Sequence, residues 1–351
     1  MKEINPKKII ALMAGLFFWI QSTAQDNKIN FSRLTTKEGL SSNSVCLTLK
    51  DRYGFLWVAT EDGLNRFDGT TFKIYKHDNK NHKSLNVNHI KTLFEDRSGR
   101  LWIGTNGGSL QLYDRRQDCF ENFKVTGMSK AITSICEDLE GNIWITSYNG
   151  LYILNPKSRL LNKHPAYQQL PEGLRAKPLL YTIKDSRNNI WIGSENGLYV
   201  YLKKTGRFQQ FLHHENNKSS LADNYITTIS EDKQKRIWIG TQNGLSMLQA
   251  DQKGFKNYKH IPGKQQSISS NLINSIAPEN EEKLWIGTEN GLDILNLKTG
   301  QFRKSRPDKR DRNSLTNKSI RSIYFDNDGI SWLATYQGGL NNMIKTSTCL
   351  T

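Results

Sequence analysis

Short runs of about five mostly apolar residues recur along most of the chain, and each run has the length of a short β-strand. Turns rich in Gly, Asn and Asp separate these runs. A typical run spans residues 237–241, where β-favouring side chains occur at successive positions and so face both sides of a strand. No 3.6-residue period of apolar positions accompanies the runs, which argues against helical units. The pattern therefore predicts a protein made of many short strands.

Seven tryptophans, spaced 42–47 residues apart, mark a repeated unit. Each is followed by Ser or Thr three positions later and by Gly six positions later. An aliphatic residue stands twelve positions before it, and Asp stands six positions before it in every copy except one, which has Glu279. The tryptophans are Trp57, Trp102, Trp144, Trp191, Trp238, Trp285 and Trp332. Chance does not produce so many shared positions, so the chain consists of seven related units.

Each unit predicts four strands. An aliphatic strand leads through an Asp-containing turn to the Trp strand, and a tight Asn-Gly or Asp-Gly hairpin leads to a Leu-rich third strand. An aromatic and polar stretch such as residues 255–258 forms the fourth. Four strands per 42–47 residues is typical of a β-propeller blade. We therefore predict an all-β fold, a seven-bladed β-propeller of four-stranded antiparallel blades.

The two ends of the repeat array predict how the ring closes. The last unit stops after its third strand, residues 340–344, and lacks an aromatic fourth strand. Residues 29–34, before the first unit, resemble that missing strand. We expect this N-terminal strand to complete the last blade, because closure removes sheet edges that would otherwise promote aggregation.

The N-terminus has the pattern of a signal peptide. Lys2, Lys7 and Lys8 precede the uncharged apolar run 9–20, and Ser22 to Ala24 provide small residues for cleavage. The apolar run is too short to span a bilayer about 30 Å thick, so we expect no membrane span. We predict a signal peptide at residues 1–24, a propeller at 25–345, a short tail at 346–351, and a periplasmic location.

Charge and cysteine content narrow the possible partners. Residues 1–24 carry three Lys and one Glu, so the formal charge of +16 becomes +14 without them. A basic surface favours an acidic partner, such as a uronic-acid or sulfated glycan or an anionic membrane, although the Lys residues are scattered. We expect no nucleic-acid partner for an exported chain. The four cysteines have neither metal-ligand spacing nor a clear pairing pattern, so we predict no metal and no cofactor.

Residues that differ between units are the candidates for ligand binding. In a propeller, the hairpin between the second and third strands and the segment leading into the first strand lie on one face, where ligands commonly bind. Tyrosine rings stack on sugar faces, while charged groups hydrogen-bond hydroxyls or carboxylates. We predict no catalytic residue, because the Asp and Ser or Thr repeated in all units are spread around the ring and must be structural. The predicted ligand-binding residues are Tyr148, Tyr225, Tyr336, His89, Arg321, Lys91, Glu195 and Glu289.

The stretch 96–110 and the linkers 84–90 and 220–226 resemble the two-component regulator propeller repeat. In that family such repeats form the periplasmic sensor of hybrid two-component systems that detect oligosaccharides from complex glycans. The resemblance implies an oligosaccharide-binding sensor module, with other domains or subunits of a sensor kinase as partners. Only seven residues follow Ile344, so we expect this polypeptide to lack its own kinase and DNA-binding parts.

Two other classes of function remain open. The repeat is also similar to that of streptogramin lyases, which need a central catalytic histidine, and His89 is the candidate for it. Sialidases are propellers as well, but they use several arginines, and Arg321 is the one that we place at the opening. Three glutamates, Glu61, Glu195 and Glu289, occupy equivalent hairpin positions on separate blades and are read as hairpin residues. A protein-binding scaffold of the cell envelope is the third possibility.

Overall fold

The computed structural model describes residues 29–123, 130–163, 175, 178–250 and 252–344. Contacts divide the chain into the units Met1–Asn30 and Phe31–Thr351, and every strand of the described residues lies in the second unit. The predicted signal peptide, residues 1–24, and the predicted tail, residues 346–351, lie outside the described residues. These two assignments and the domain limits at residues 25 and 345 stay predictions.

The described residues form seven four-stranded antiparallel sheets, as predicted. Blade 1 contains β2 (Val45–Lys50), β3 (Leu56–Thr60), β4 (Gly63–Phe67) and β5 (Phe72–Tyr75). Blade 2 contains β6 (Ile90–Glu95), β7 (Leu101–Thr105), β8 (Leu110–Asp114) and β9 (Cys119–Phe123). Blade 3 contains β10 (Ile132–Glu137), β11 (Ile143–Ser147), β12 (Gly150–Asn155) and β13 (Leu160–Lys163). Blade 4 contains β14 (Leu179–Lys184), β15 (Ile190–Ser194), β16 (Gly197–Leu202) and β17 (Arg207–Phe211).

The remaining blades follow the same order from the inner to the outer strand. Blade 5 contains β18 (Ile226–Glu231), β19 (Ile237–Thr241), β20 (Gly244–Leu248) and β21 (Phe255–Tyr258). Blade 6 contains β22 (Ile273–Pro278), β23 (Lys283–Thr288), β24 (Gly291–Asn296) and β25 (Phe302–Ser305). Blade 7 contains β26 (Ile320–Phe325), β27 (Ile330–Thr335), β28 (Gly339–Ile344) and, as its outer strand, β1 (Ser32–Leu34).

The N-terminal strand closes the ring as predicted. Strand β1 pairs antiparallel with β28, with Ser32 opposite Asn342 and Leu34 opposite Leu340. Each inner strand contacts the inner strands of the two neighbouring blades, and β2 of blade 1 contacts β26 of blade 7. The first blade is thereby joined to the last.

Each blade is held by a hydrogen bond from its tryptophan to the acidic residue six positions earlier. In blade 5, Trp238 Nε1 donates to Asp232 Oδ2 over 2.8 Å, while Asp232 Oδ1 accepts two backbone N–H groups of the turn. Blade 6 uses Glu279 in the same way, with a distance of 2.7 Å from Trp285 Nε1. The bond also forms in the other blades, at 2.7–3.0 Å. The repeated acidic residues are therefore structural.

Five blades are entered through a linker that a buried apolar residue anchors. The anchors are Leu40, Leu85, Leu221, Ile268 and Leu315, all at most 4% exposed. The next residue of each linker donates its N–H to a buried polar side chain on the third strand of the same blade. In blade 5, Ala222 N donates to Ser246 Oγ over 3.0 Å. The equivalent acceptors in blades 1, 2, 6 and 7 are Asn65, Gln111, Asp293 and Asn341.

We call the face that bears the hairpins between second and third strands the upper face, and the face with the Asp turns the lower face. In every blade, the residue four after the tryptophan donates its N–H to the carbonyl of the residue just before the inner strand, at 3.0–3.3 Å. The hairpin residues and the residues that lead into the inner strands, which are the two sets of predicted binding positions, are thereby neighbours. The hairpins of blades 2 and 7 are one residue longer than those of the other blades. In blade 7, Gly339 and not Gly338 therefore pairs with Thr335 at the start of the third strand.

Candidate functional site

A central channel lies among the inner strands of the ring. It has a volume of about 1170 Å³, and its lining combines upper-face residues such as Tyr148 and Arg321 with lower-face residues such as Arg52 and Arg97. Alternate residues of each inner strand point towards the centre, and residues of the hairpins and turns at the two ends of the blades complete the lining. The channel is the site that the ring geometry offers to a ligand.

Six of the eight predicted binding residues line this channel. They are Tyr148, Tyr225, Tyr336, Lys91, Glu289 and Arg321. His89 and Glu195 are not among the lining residues, although both are half-buried on the upper face. His89 directly precedes strand β6, and its ring faces the thiol of Cys46. Whether any of the eight contacts a ligand stays a prediction.

An ion pair joins blades 7 and 1 at the upper mouth of the channel. Arg321 Nη1 donates to Glu61 Oε1 over 2.7 Å, and the Arg321 guanidinium lies 4.4 Å from the centroid of the Tyr336 ring. Burial alone would raise the pKa of the Glu61 carboxyl, but the hydrogen bond and charge of Arg321 outweigh it and lower that pKa. Glu61 is thus held as a carboxylate, in a fixed orientation beside an exposed aromatic ring.

A thiol and an imidazole lie next to this ion pair. Cys46 Sγ is 3.9 Å from both His89 Nε2 and Arg321 Nη1. Burial raises the pKa of the Cys46 thiol. Burial and the charge of Lys91 lower the pKa of His89, so its imidazole is neutral near pH 7. The arrangement favours a neutral thiol and a neutral ring.

Two tyrosines occupy the opposite side of the upper mouth. Tyr148 belongs to the hairpin of blade 3, and Tyr225 directly precedes the inner strand of blade 5. Burial raises the pKa of the Tyr225 phenol, and the charge of Glu195 and the Tyr148 phenol raise it further. Both phenols are half-buried, so each retains an accessible surface for a planar or apolar group of a ligand.

Glu289 is positioned by two polar neighbours. Ser319 Oγ donates to Glu289 Oε2 over 2.8 Å, and Asn274 Nδ2 donates to the same oxygen over 3.2 Å. Oxygen Oε1 receives neither of these bonds and is available to accept from hydroxyl groups.

The charged groups of the channel lining balance. Five basic side chains face five acidic ones: Arg52, Lys91, Arg97, Lys184 and Arg321 against Glu61, Glu95, Asp96, Glu137 and Glu289. At the lower end, Arg97 Nε is 3.1 Å from Glu137 Oε2 of the next blade and its Nη2 donates to two carbonyls there. Arg52 makes the same contacts to blade 2. The lower arginines are therefore tied into the framework.

The sequence did not single out Glu61 as a binding residue, although its position was among those considered. A signal was present, since Glu61 and Arg321 carry opposite charges on blades that adjoin once the ring is closed. The described residues contain no group of three or more His, Cys, Asp or Glu arranged to hold a metal ion. Within the same residues, no helix has the length and apolar character needed to cross a bilayer.

The family model of the two-component regulator propeller matches residues 84–107 and 220–243. These are the linkers and first two strands of blades 2 and 5. A curated relative, histidine kinase P4 of Formosa agariphila, is 39% identical over 77 residues, which is 22% of this chain and 6% of that protein.

Two solved structures illustrate the range of similar propellers. The extracellular domain of a hybrid two-component system from B. thetaiotaomicron is 28% identical, with a TM-score of 0.75 over 90% of this chain and 42% of that one. Virginiamycin B lyase from Staphylococcus aureus has a TM-score of 0.67 at 12% identity, over 91% of this chain and 99% of the lyase. The lyase likeness shows the fold alone. The predicted resemblance is confirmed: two segments of this seven-bladed propeller match the two-component regulator propeller model, and the chain spans less than half of the matched extracellular domain.

Proposed function

We propose that this propeller is the ligand-binding sensor module of a two-component system and that it captures a glycan-derived oligosaccharide at the upper mouth of its channel. The observation that carries the proposal is the set of blade-specific side chains there, above all Tyr148, Tyr225, Tyr336 and Arg321, on a framework that repeats in every blade. The location that fits is periplasmic, with residues 1–24 acting as an export signal.

The chemistry of the mouth suits a sugar. Tyrosine rings bind the apolar faces of pyranose rings, and the fixed carboxylates of Glu61 and Glu289 accept hydrogen bonds from hydroxyl groups. Equal numbers of basic and acidic side chains line the channel, which favours a ligand whose central sugars are uncharged. A channel of about 1170 Å³ exceeds the volume of common small-ligand pockets and accommodates several sugar units.

The similar sensor domain provides the signalling half of the proposal. This chain corresponds to about two fifths of that extracellular domain. We infer that ligand capture is transmitted through other domains or subunits of a sensor kinase, because the matched extracellular domain is more than twice as long as this chain. The role proposed for the propeller itself is ligand binding.

A lyase-like reaction is the competing function, favoured by the shared fold and by the neutral His89 beside Cys46. Binding is preferred because the His89 ring faces that thiol and is not part of the channel lining. Incubating each bound sugar with the protein and analysing products by mass spectrometry separates the two: turnover that His89→Ala abolishes would favour the enzyme.

Calorimetric titration with oligosaccharide pools tests the binding proposal. We expect saturable binding that Tyr148→Ala and Tyr336→Ala each weaken by about tenfold, since truncating an aromatic anchor typically costs more than 1 kcal/mol. Tyr53→Ala is the matched control, because Tyr53 is an exposed tyrosine in the lower-face turn of blade 1. Equal binding by all three variants would place the site elsewhere, and weakening by Tyr53→Ala alone would move it to the lower face.

A further inference from the structure

A second cavity, here called the seam cleft, lies on the upper face where blades 7 and 1 meet. Its volume is about 520 Å³. Its walls come from β1 and the linker that follows it, from the linker between blades 6 and 7, and from the hairpin of blade 7. The residues that matter for its chemistry are Arg33, Lys37, Glu38, Arg312 and Gln337.

The seam cleft is basic. Arg33, Lys37 and Arg312 are exposed, and among the described residues none of them forms an ion pair with a carboxylate. Arg33 donates to the carbonyl of Arg312, a neutral acceptor that leaves its charge uncompensated. The lining carboxylate, Glu38, already accepts hydrogen bonds from the N–H and Oγ1 of Thr35, each 2.7 Å long. Three cations are thus available to an incoming anion.

The chain around the cleft strengthens this positive field. Residues 303–318 contain seven Lys or Arg and two Asp. Much of this segment forms the linker between blades 6 and 7, which includes Arg312. A concentrated charge of one sign raises the local concentration of oppositely charged ligands. The channel lining, by contrast, carries balanced charges.

The longer hairpin of blade 7 connects the seam cleft to the channel. Tyr336 lines the channel, while its neighbours Gln337 and Gly338 line the cleft. Gln337 adopts a φ of 57°, a left-handed conformation that turns the backbone between the two cavities. The one-residue insertion therefore gives a single hairpin access to both sites.

We propose that the seam cleft binds a carboxylate or sulfate group of the oligosaccharide whose neighbouring sugars occupy the channel mouth at Tyr336. This inference rests on the proposed function and makes the ligand an acidic oligosaccharide. Arg33, Lys37 and Arg312 supply charged hydrogen bonds to the anion. The hairpin of blade 7 lies beneath the sugar that bridges the two cavities.

The test compares three hexasaccharides by calorimetry on the full chain without its predicted signal peptide: a sulfated heparin-derived one, hexagalacturonate, and uncharged maltohexaose. The variant Lys37→Ala/Arg312→Ala removes two cations from the cleft. The matched control Lys80→Ala/Arg116→Ala removes the same two residue types from exposed positions outside both cavities. Thermal unfolding verifies that both variants fold.

We expect an acidic probe to bind the wild type, and the cleft variant to lose about tenfold or more in affinity, because it loses two charged hydrogen-bond donors to the anion. The control variant should lose less than about twofold, since neither of its side chains lines the channel or the seam cleft. Comparison of the two acidic probes identifies sulfate or carboxylate as the preferred group.

Unchanged affinity in the cleft variant, or equal losses in both variants, overturns the inference. If maltohexaose binds and neither acidic probe binds more tightly, the seam-cleft inference is wrong while the proposed function stands. If none of the three probes binds, both the seam-cleft inference and the proposed function are overturned.

Discussion

Blades 3 and 4 differ from the other five in the side chain at one buried position of the third strand. Blades 1, 2, 5, 6 and 7 receive the chain through a linker whose anchor is buried and whose next N–H is bound by a polar side chain of the third strand. Blade 3 is entered through Lys130 and Ala131 and blade 4 through Pro178. Where the other blades have a polar acceptor, these two have Tyr152 and Tyr199.

Both groups of blades nevertheless share the same internal framework. The tryptophan donates to the acidic residue six positions earlier in blade 4 as in blade 5, over 2.9 and 2.8 Å. In both blades, the residue four after the tryptophan also donates its N–H to the carbonyl of the residue before the inner strand. The internal framework of a blade is therefore the same whether a polar residue or a tyrosine occupies this position of the third strand. In blades 1, 2, 5, 6 and 7, the polar residue at this position binds the linker.

The largest expected effect lies in the shared framework. Trp191→Ala in blade 4 and Trp238→Ala in blade 5 should each lower the free energy of unfolding by about 3–5 kcal/mol, the cost of truncating a buried aromatic residue. Both tryptophan side chains are at most 4% exposed, and each substitution also removes the hydrogen-bond donor to a buried carboxylate. Urea-induced unfolding measures the change. Clearly unequal losses would mean that the residue at the differing third-strand position, Tyr199 in blade 4 and Ser246 in blade 5, contributes to the framework.

Truncation of a linker anchor should cause the next largest loss of stability. Leu221→Ala removes a side chain that is 1% exposed and packs in the core between blades 4 and 5, and should cost about 2–5 kcal/mol. Leu139→Ala is the matched control, since Leu139 is 51% exposed in a lower-face turn. The same unfolding experiment applies. A loss no greater than that of the control would show that the linker is not anchored by its apolar residue.

The buried acceptor should have a smaller effect. Ser246→Ala leaves the N–H of Ala222 buried without its acceptor, which costs about 1–3 kcal/mol. Tyr199→Phe at the equivalent position of blade 4 removes a hydroxyl that donates to the carbonyl of Asn196 and accepts from Gln210, so we expect about 0.5–1.5 kcal/mol. Amide hydrogen exchange at Ala222 should accelerate in Ser246→Ala. Unchanged exchange there would argue against the assigned role.

The smallest effect is a pH dependence at Asp293, the charged member of the acceptor set. Burial raises the pKa of its carboxyl above the usual range, although hydrogen bonds from Ser269 oppose the shift. A carboxyl with a raised folded pKa binds its proton more tightly in the folded state, so the fold loses stability as the pH rises above the unfolded value. Ionised Asp293 should therefore cost stability at pH 7.

Asp293→Asn tests this with a residue that blades 1 and 7 already use. In blade 1, Asn65 Nδ2 donates to Ser41 Oγ and to the carbonyl of Val58. Ser269 stands in the place of Ser41 in blade 6, so the new amide should find the same kind of partner. We expect a higher melting temperature than the wild type at pH 7, and no advantage below about pH 3.9, the usual Asp pKa. A difference independent of pH would contradict the ionisation argument.

The sequence predicted the fold well because its signals are local and repeated. The predicted outer strand at residues 255–258 coincides with β21, and the surplus strand at residues 29–34 pairs as expected. The hydrogen bond from tryptophan to the acidic residue was missed, although the constant six-residue spacing contained it. The extra hairpin residue of blade 7 was missed because Gly338 lies at the expected distance from Trp332, while Gly339 forms the bond.

The site was predicted less completely. Blade-to-blade variation indicated the upper face, but it did not separate Arg321, which lines the channel, from His89, which does not. It also gave no sign of the seam cleft, whose walls bring Arg33 beside Arg312 from opposite ends of the chain. A side chain's direction and its neighbours on the next blade depend on packing that no local pattern records.

The sequence by itself determined the number of blades, the order of strands, the structural role of the repeated Trp and Asp, and the closure of the ring. Each follows from short-range periodicity, because strands alternate with period two and turns require particular residues. The tertiary structure alone decided which charges meet. Glu61 and Arg321 lie 260 positions apart in the chain, yet closure brings them within 2.7 Å. Electrostatic and hydrogen-bond contacts act over distances in space, and only the closed ring converts sequence separation into those distances.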